Sequence, residues 1–170
     1  MGKIITIWGN PGSGKSMFAC NLAKVLTAGK KKALIINADS STPMLPVWMP
    51  DRILETSASI GNVLTALEIN NALIAERVMV LKEYPFIGVL GYAAGENPFS
   101  YPELKYEKIK IFISECAKLV DYILIDCPPS LGLLTLNALT AAHYLIIPVQ
   151  AQFLAMRGMA KITNVVATVR

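Results

Sequence analysis

The sequence has little charge and a single histidine. Charged residues make up 16% of the 170 residues, whereas hydrophobic residues make up 54%. A disordered chain shows the opposite balance, because it has too little apolar surface to bury. The length is typical of one domain, and the apolar content favours a mostly parallel sheet covered by helices on both faces. We therefore expect one domain over residues 1–170.

Cysteine is scarce, and long apolar runs are missing. The three cysteines, Cys20, Cys116 and Cys127, lack the spacing of a metal site, and an odd number does not fit a disulfide framework. A reducing compartment suits such a chain, so we expect a cytoplasmic protein. No apolar run reaches the ~18 residues of a membrane-spanning helix. The first apolar run, Ile4–Trp8, is too short for a signal peptide.

Short apolar segments alternate with amphipathic ones along the chain. This alternation predicts an α/β fold, here a three-layer α/β/α domain with a mostly parallel central sheet. Residues 40–52 hold three prolines and predict a long loop. In the first helix, one apolar face is expected from Phe18, Leu22, Val25 and Leu26. The expected strands are 3–8, 33–36, 86–90, 122–125 and 144–149, and the expected helices are 15–27, 60–68, 106–119, 131–142 and 154–169.

A glycine-rich segment follows the first strand and has the pattern of a phosphate-binding loop (P-loop). Residues 9–16 satisfy G-x-x-x-x-G-K-[ST] between a strand and a helix, as the motif requires. Backbone N–H groups of such a loop surround phosphate oxygens, and the helix directs its positive dipole end at the anion. Lys15 is expected to contact the β- and γ-phosphates, and the Ser16 hydroxyl to hold Mg²⁺. The expected cofactor-binding residues are Gly9, Asn10, Pro11, Gly12, Ser13, Gly14, Lys15, Ser16 and Met17. A dinucleotide-binding loop is excluded because no third glycine follows Gly14.

Two carboxylates, Asp39 and Asp126, stand at the ends of apolar strands. In a parallel sheet these ends lie on the side where ligands bind. Asp126 is expected to act on Mg²⁺ directly or through water, and Asp39 to orient or deprotonate the attacking water. With Lys15 they are the candidate catalytic residues, and Ser16 with Asp126 the candidate metal ligands. The alternative is that each acid caps the turn after its strand. His143 stands at the start of a strand, away from this side, so we expect no catalytic role for it.

The chain resembles the ParA/MinD family of partitioning and positioning ATPases, most strongly from Asp121 to Gly158. Residues 121–135, DYILIDCPPSLGLLT, resemble the family's Walker B strand and switch II, and residues 33–39 its second strand, with Asp39 on the family's acid. Residues 40–118 match only loosely. The resemblance implies ATP binding with Mg²⁺, weak ATPase activity and dimers that sandwich two nucleotides. It also implies a role in positioning DNA, protein complexes or division machinery.

Several residues depart from the family's pattern. Asn10 stands where the family has a lysine that reaches the partner's nucleotide, and asparagine cannot supply that charge. Pro11 replaces a glycine, Met17 a threonine and Asn37 an acidic residue. The family's C-terminal strands and helices, which hold the adenine pocket, are expected to be missing from this chain.

Three functions remain open from the sequence. The first is an ATP-dependent dimer switch in DNA partitioning or in positioning of cellular machinery. The second, favoured by Asn10, is a nucleotide-binding scaffold with little or no hydrolysis. The third is a metabolic enzyme on the same fold, although no further substrate-binding residues stand out.

Expected partners are a second copy and a protein that stimulates, or is positioned by, the ATPase. A net charge of +4 and the cluster Lys30–Lys32 leave non-specific DNA binding open, although a solvated turn explains that cluster as well.

Overall fold

Strands and helices alternate along most of the chain. The structure is a computed structural model that describes residues 1–50, 58–97, 99–149 and 166–168. The strands are β1 (Lys3–Ile7), β2 (Ala33–Asn37), β3 (Met79–Leu81), β4 (Tyr84–Leu90), β5 (Tyr122–Asp126) and β6 (Tyr144–Ile146). The helices are α1 (Lys15–Thr27), α2 (Leu45–Trp48), α3 (Ile60–Thr65), α4 (Asn71–Arg77), α5 (Tyr106–Leu119) and α6 (Leu133–Ala141).

The six strands form one sheet in the order β3-β4-β2-β5-β1-β6. Every neighbouring pair is parallel except β3 and β4, which are antiparallel. The central strand β5 pairs with both β1 and β2, and in this register Asp126 lies opposite Ile7 on one side and Asn37 on the other. The ends of β1, β2 and β5 therefore meet at one edge of the sheet.

Both faces of the sheet are covered, as the apolar composition predicts. Alternate residues of each strand point to opposite faces, so Ile4 and Ile5 belong to two different core clusters. Helices α3, α5 and α6 contribute buried residues to the cluster of Ile4, and helices α1 and α2 to the cluster of Ile5. The predicted three-layer α/β/α fold with a mostly parallel sheet is confirmed.

Several predicted elements have different bounds, and three were missed. The sequence pattern gave no sign of the short helix α2 inside the proline-rich loop, of α4, or of the antiparallel strand β3. The last predicted strand ends at Ile146 rather than Val149, and the helix predicted from residue 131 begins at Leu133. The predicted last helix, 154–169, lies outside the described residues except for 166–168, which are helical.

The face of α1 that packs on the sheet differs from the prediction. Ala19 and Ala23 are fully buried, whereas the Val25 side chain is 72% exposed and Phe18 also faces solvent. Leu22 and Leu26 pack at the edge of the cluster of Ile5. Small side chains allow the helix axis to approach the sheet closely, so the contact face follows the alanines rather than the larger apolar residues. Within the part of the chain that the structure describes, no helix is long and apolar enough to cross a membrane.

Candidate phosphate-binding site

The glycine-rich segment forms a compact loop between β1 and α1. Gly12 and Gly14 have φ values of 73° and 85°, a left-handed conformation that glycine adopts without strain. The Ser13 N–H donates to the Asn10 carbonyl over 3.2 Å, and the Phe18 N–H donates to the Gly14 carbonyl as α1 begins. The loop leads directly into the N-terminus of a 13-residue helix, and helix N-termini favour bound anions.

The Lys15 side chain lies back across the loop. It is 9% exposed, and its Nζ donates to the Asn10 carbonyl oxygen over 3.0 Å. A buried ammonium group needs an acceptor, and here the acceptor is a backbone oxygen of the loop itself. An anionic phosphate in the loop offers stronger, charge-assisted acceptors to the same ammonium group.

Ser16 and Asp126 are in direct contact. The Ser16 hydroxyl donates to Asp126 Oδ2 over 2.6 Å, and the Asn37 amide donates to the same oxygen over 3.3 Å. The other carboxylate oxygen, Oδ1, is buried and has no hydrogen-bond partner among the described residues. Burial raises the pKa of the Asp126 carboxyl, and the hydrogen bonds from Ser16 and Asn37 and the charge of Lys15 oppose that shift.

This donor set fits a magnesium ion. A hydroxyl and a carboxylate are oxygen ligands of the kind that Mg²⁺ prefers, and Mg²⁺ commonly takes its remaining ligands from water and substrate phosphates. The free Asp126 Oδ1 supplies an unused acceptor at the same place. Among the described residues, no group of three or more His, Cys, Asp or Glu side chains is arranged to hold a metal ion.

Asp39 lies beside this pair at the end of β2. Its Oδ1 accepts N–H groups from Ser41 over 2.9 Å and from Thr42 over 3.2 Å, so the carboxylate caps the turn that follows it. Burial chiefly raises the pKa of the Asp126 carboxyl, and the negative charge of Asp39 acts in the same direction. The Asp39 carboxylate thus makes the turn contacts of the capping alternative, and its half-exposed side chain also borders the cleft.

A cleft of about 490 Å³ brings these groups together. Six of the predicted site residues line it: Pro11, Gly12, Lys15, Ser16, Asp39 and Asp126. The predicted residues Gly9, Asn10, Ser13, Gly14 and Met17 belong to the same loop and first helical turn but do not line the cleft. The Met17 side chain is 72% exposed.

Residues from two further loops complete the cleft. The loop after β2 contributes Ser41, Thr42 and Met44, and the loop after β5 contributes Cys127, Pro128, Pro129 and Ser130. Asn37 also lines the cleft, and its side chain is 1% exposed. A polar residue at the end of the apolar strand ALIIN is the sequence signal that could have identified it, because polar groups on buried strands need a partner.

His143 lies elsewhere, as expected. The His143 side-chain Nδ1 accepts the Ile4 N–H over 3.0 Å, and the backbone N–H of His143 donates to the Ile4 carbonyl over 2.9 Å. These bonds join the beginnings of β1 and β6, at the opposite edge of the sheet from the cleft. Cys127, which lines the cleft, is a buried free cysteine.

Comparisons with known proteins extend this description. A family model described as an AAA domain matches residues 2–170. The sporulation initiation inhibitor protein Soj of Bacillus subtilis (strain 168) is 32% identical over 181 residues, which cover 100% of this chain and 67% of Soj. The chromosome partitioning protein ParA of Myxococcus xanthus (strain DK1622) is 30% identical over 175 residues, covering 100% of this chain and 60% of that protein.

Solved structures show the same fold. A plasmid partition protein from Borrelia burgdorferi has a TM-score of 0.80 and 25% identity, with 99% of this chain and 75% of that chain covered. The septum site-determining protein MinD of Pyrococcus horikoshii OT3, solved with Mg-ADP, has a TM-score of 0.77 and 20% identity, with 99% and 66% covered. The chain spans 60% to 67% of the length of the two curated relatives. The match over nearly all of its residues, together with the phosphate-loop fold, shows that the chain belongs to the ParA/MinD family of P-loop ATPases.

Proposed function

We propose that this protein binds ATP with Mg²⁺, hydrolyses it slowly and acts as a nucleotide-dependent dimer switch in DNA partitioning or in positioning of cellular machinery. The observation that carries the proposal is the convergence of the glycine loop, Lys15, Ser16 and Asp126 on one cleft. The names of the relatives support the biological setting, since Soj and ParA are named for sporulation and chromosome partitioning.

The glycine loop and four side chains of the cleft have chemical roles in the proposal. The glycine loop binds the phosphates through its N–H groups, and Lys15 neutralises charge on the β- and γ-phosphates. Ser16 and Asp126 hold the magnesium ion, which supplies charge neutralisation at the phosphates when bound. Asp39 orients or deprotonates the attacking water after its carboxylate leaves the turn of Ser41 and Thr42.

Single substitutions separate binding from hydrolysis. The Lys15→Ala protein is expected to lose ATP binding, because the phosphates lose their one buried cationic partner in the loop. The Asp39→Ala protein is expected to bind ATP normally and to show no turnover. Calorimetric titration with ATP and Mg²⁺ measures the first effect, and phosphate release measures the second.

The control is Lys24→Ala, on α1 but remote from the loop, where Lys24 lies over the Tyr84 ring. That variant is expected to bind and hydrolyse ATP like the unsubstituted protein. Unchanged ATP affinity in the Lys15→Ala protein would show that the site assignment is wrong. Normal turnover in the Asp39→Ala protein would remove Asp39 from the catalytic residues and leave the binding site intact.

A hydrolysis-deficient scaffold that localises a complex is the second candidate function. Two observations favour it: Asn10 is exposed and uncharged, and the Asp39 carboxylate is engaged in its own turn. A scaffold binds ATP but shows no turnover above the background without enzyme. An Asn10→Lys substitution that creates turnover in such a protein would support the scaffold, because the added charge restores the missing stabilisation of the transition state.

The partners in the proposal are a second copy of the chain and a protein that stimulates the ATPase or is positioned by it. Light scattering with ATP and Mg²⁺ is expected to show a dimer, and a clean monomer at high concentration would contradict this. Non-specific DNA binding is tested by gel shift at several salt concentrations. An affinity that falls steeply with salt indicates phosphate contacts, whereas no binding points to a protein surface as the matrix.

A further inference from the structure

We propose that Asn37 is a positioning residue that couples the Asp126 carboxylate to the turn formed by residues 39–44. The inference rests on the proposed function, since it assumes that Asp126 holds the magnesium ion of a bound nucleotide. It adds a connection between the metal site and the segment that carries Asp39. The geometry of one buried amide carries it.

The Asn37 side chain lies between the Asp126 carboxylate and the backbone N–H of Met44. It is the last residue of β2 and lies opposite Asp126, the last residue of β5, in the parallel register of the two strands. Its side chain is 1% exposed, so neither polar atom can rely on solvent. Both polar atoms have protein partners, and those partners belong to different parts of the site.

The amide nitrogen of Asn37 contacts Asp126, the proposed metal ligand. Nδ2 donates to Asp126 Oδ2 over 3.3 Å, and the Ser16 hydroxyl donates to the same oxygen. Two donors on Oδ2 and none on the buried Oδ1 define one orientation of the carboxylate. Asn37 thereby helps to decide which oxygen is left for an incoming cation, as partners of metal ligands generally do.

The amide oxygen of Asn37 contacts the end of the turn formed by residues 39–44. Oδ1 accepts the Met44 N–H over 3.1 Å, and Met44 is the N-cap residue of α2. The turn between Asp39 and Met44 is therefore held at its start by the Asp39 carboxylate and at its end by Asn37. Ser41, Thr42 and Met44 all line the cleft, so a movement of this turn changes the wall of the nucleotide site.

Asparagine is the residue type that this position requires. Its short side chain carries both a donor and an acceptor, so it can donate to the Asp126 carboxylate and accept the Met44 N–H at the same time. Aspartate keeps the acceptor for Met44 but places a second carboxylate against Asp126. Leucine has a similar size and removes both bonds. Gly91 provides the space, because a Cβ atom there would lie 3.2 Å from Asn37 Cβ and 3.0 Å from Leu45 Cγ.

The test compares Asn37→Leu and Asn37→Asp by calorimetric titration of ATP at a series of Mg²⁺ concentrations, including none. With Asn37→Leu, the Mg²⁺ concentration for half-maximal enhancement of ATP binding is expected to rise about tenfold. ATP binding without Mg²⁺ should stay within about twofold, because the loop and Lys15 are intact. With Asn37→Asp, the half-maximal Mg²⁺ concentration is expected to fall, because the cation relieves repulsion between two carboxylates. A merely structural role would move both variants in the same direction.

Hydrogen exchange at the Met44 amide tests the other half of the coupling. This amide should exchange faster in the Asn37→Leu protein, which lacks the acceptor, and at the parental rate in the Asn37→Asp protein, which keeps it. The matched control is Asn137→Leu, since Asn137 is also buried but its amide donates to the Leu133 carbonyl within α6. The control should leave both the Mg²⁺ response and the Met44 exchange rate unchanged.

The outcomes distinguish the inference from the proposed function. Failure of the unsubstituted protein to bind ATP with Mg²⁺ would overturn the function and the inference together. Normal binding, with the same Mg²⁺ response in the unsubstituted protein and both variants, would overturn the coupling alone. If the Asn37→Leu protein does not fold, the Asn37→Asp protein alone tests the inference. A raised or unchanged half-maximal Mg²⁺ concentration in the Asn37→Asp protein would then contradict it.

Discussion

At the scale of single residues, the site depends on a carboxylate that is held away from water. Asp126 is 2% exposed, and one of its oxygens has no partner among the described residues. A buried carboxylate oxygen without a hydrogen-bond partner destabilises the folded state, even though the other oxygen accepts bonds from Ser16 and Asn37, and functional sites commonly retain such groups for binding. In the proposed function, Asp126 retains this unpartnered oxygen to bind Mg²⁺.

Replacing this carboxylate is expected to stabilise the ligand-free protein. The Asp126→Asn protein should unfold with a free energy about 1 kcal/mol larger at neutral pH, and Mg²⁺ should no longer enhance its ATP binding. Because the folded-state pKa of Asp126 is raised, the protein loses stability as pH rises through the interval between the unfolded and folded values. The gain from Asp126→Asn should thus shrink in acid, and thermal unfolding at several pH values measures it.

Asp121 provides the opposite control. It lies on the surface, where the Lys32 N–H donates to its Oδ2 over 2.8 Å and lowers the pKa of its carboxyl. A lowered pKa contributes stability that is present above the unfolded-state value and is lost as pH falls through the folded-state value. Asp121→Asn should therefore lower stability at neutral pH. Equal changes in unfolding free energy for Asp126→Asn and Asp121→Asn would contradict the interpretation that burial of the Asp126 carboxylate destabilises the protein.

At the scale of elements, α3 is packed against the loop that follows β4. The Ser59 hydroxyl, at the N-cap of α3, accepts the Gly61 N–H and donates to Glu96. The Tyr101 hydroxyl also donates to Glu96, and a Cβ atom at Gly61 would overlap the Tyr101 ring. Glycine is required at position 61 for this approach, not for its backbone conformation.

This packing predicts different effects for two glycine substitutions. Gly61→Ala should destabilise the protein by about 1–3 kcal/mol, because the Tyr101 ring must move and its bond to Glu96 is disturbed. Gly29→Ala, where nothing lies within 4 Å of the new Cβ atom, should change the stability by less than about 0.5 kcal/mol. Urea unfolding measures both, and equal effects would show that Tyr101 adapts without cost.

The contact face of α1 predicts a second contrast. Ala23 is fully buried against the sheet, so Ala23→Leu should overpack the contact and cost about 1–3 kcal/mol. Val25→Lys, on the exposed face, should stay within about 0.5 kcal/mol. Urea midpoints of the two variants check this. A large loss for Val25→Lys would place Val25 in a contact, as the sequence pattern had suggested.

At the scale of the whole molecule, ligand binding and stability are linked. A ligand that binds only the folded state at 100 times its dissociation constant raises the unfolding free energy by about 2.7 kcal/mol. ATP with Mg²⁺ should therefore raise the melting temperature of the unsubstituted protein, and the Lys15→Ala protein should show no such rise. Scanning calorimetry with and without ATP gives the result. A matching rise in both proteins would mean that ATP binds outside the loop.

Local sequence patterns were sufficient for the parts of the fold in which neighbouring residues decide the structure. The glycine loop, the strands β1, β2 and β5, and the helix after the loop follow from residue order, because turn geometry and strand burial are local properties. The positions of Asp39 and Asp126 at one edge of the sheet also followed, since parallel strands must align their ends. The short elements α2, α4 and β3 have weak local signals and form mainly through tertiary packing.

The sequence by itself determined the class of fold, the phosphate loop and the acids at the strand ends. The tertiary structure decided how their side chains are used. Only the register of β2 against β5 places the Asn37 amide between Asp126 and Met44. Only the packing of α1 on the sheet buries its alanines rather than Phe18 and Val25. These contacts join residues far apart in the chain, and their distances depend on packing, which no local pattern encodes.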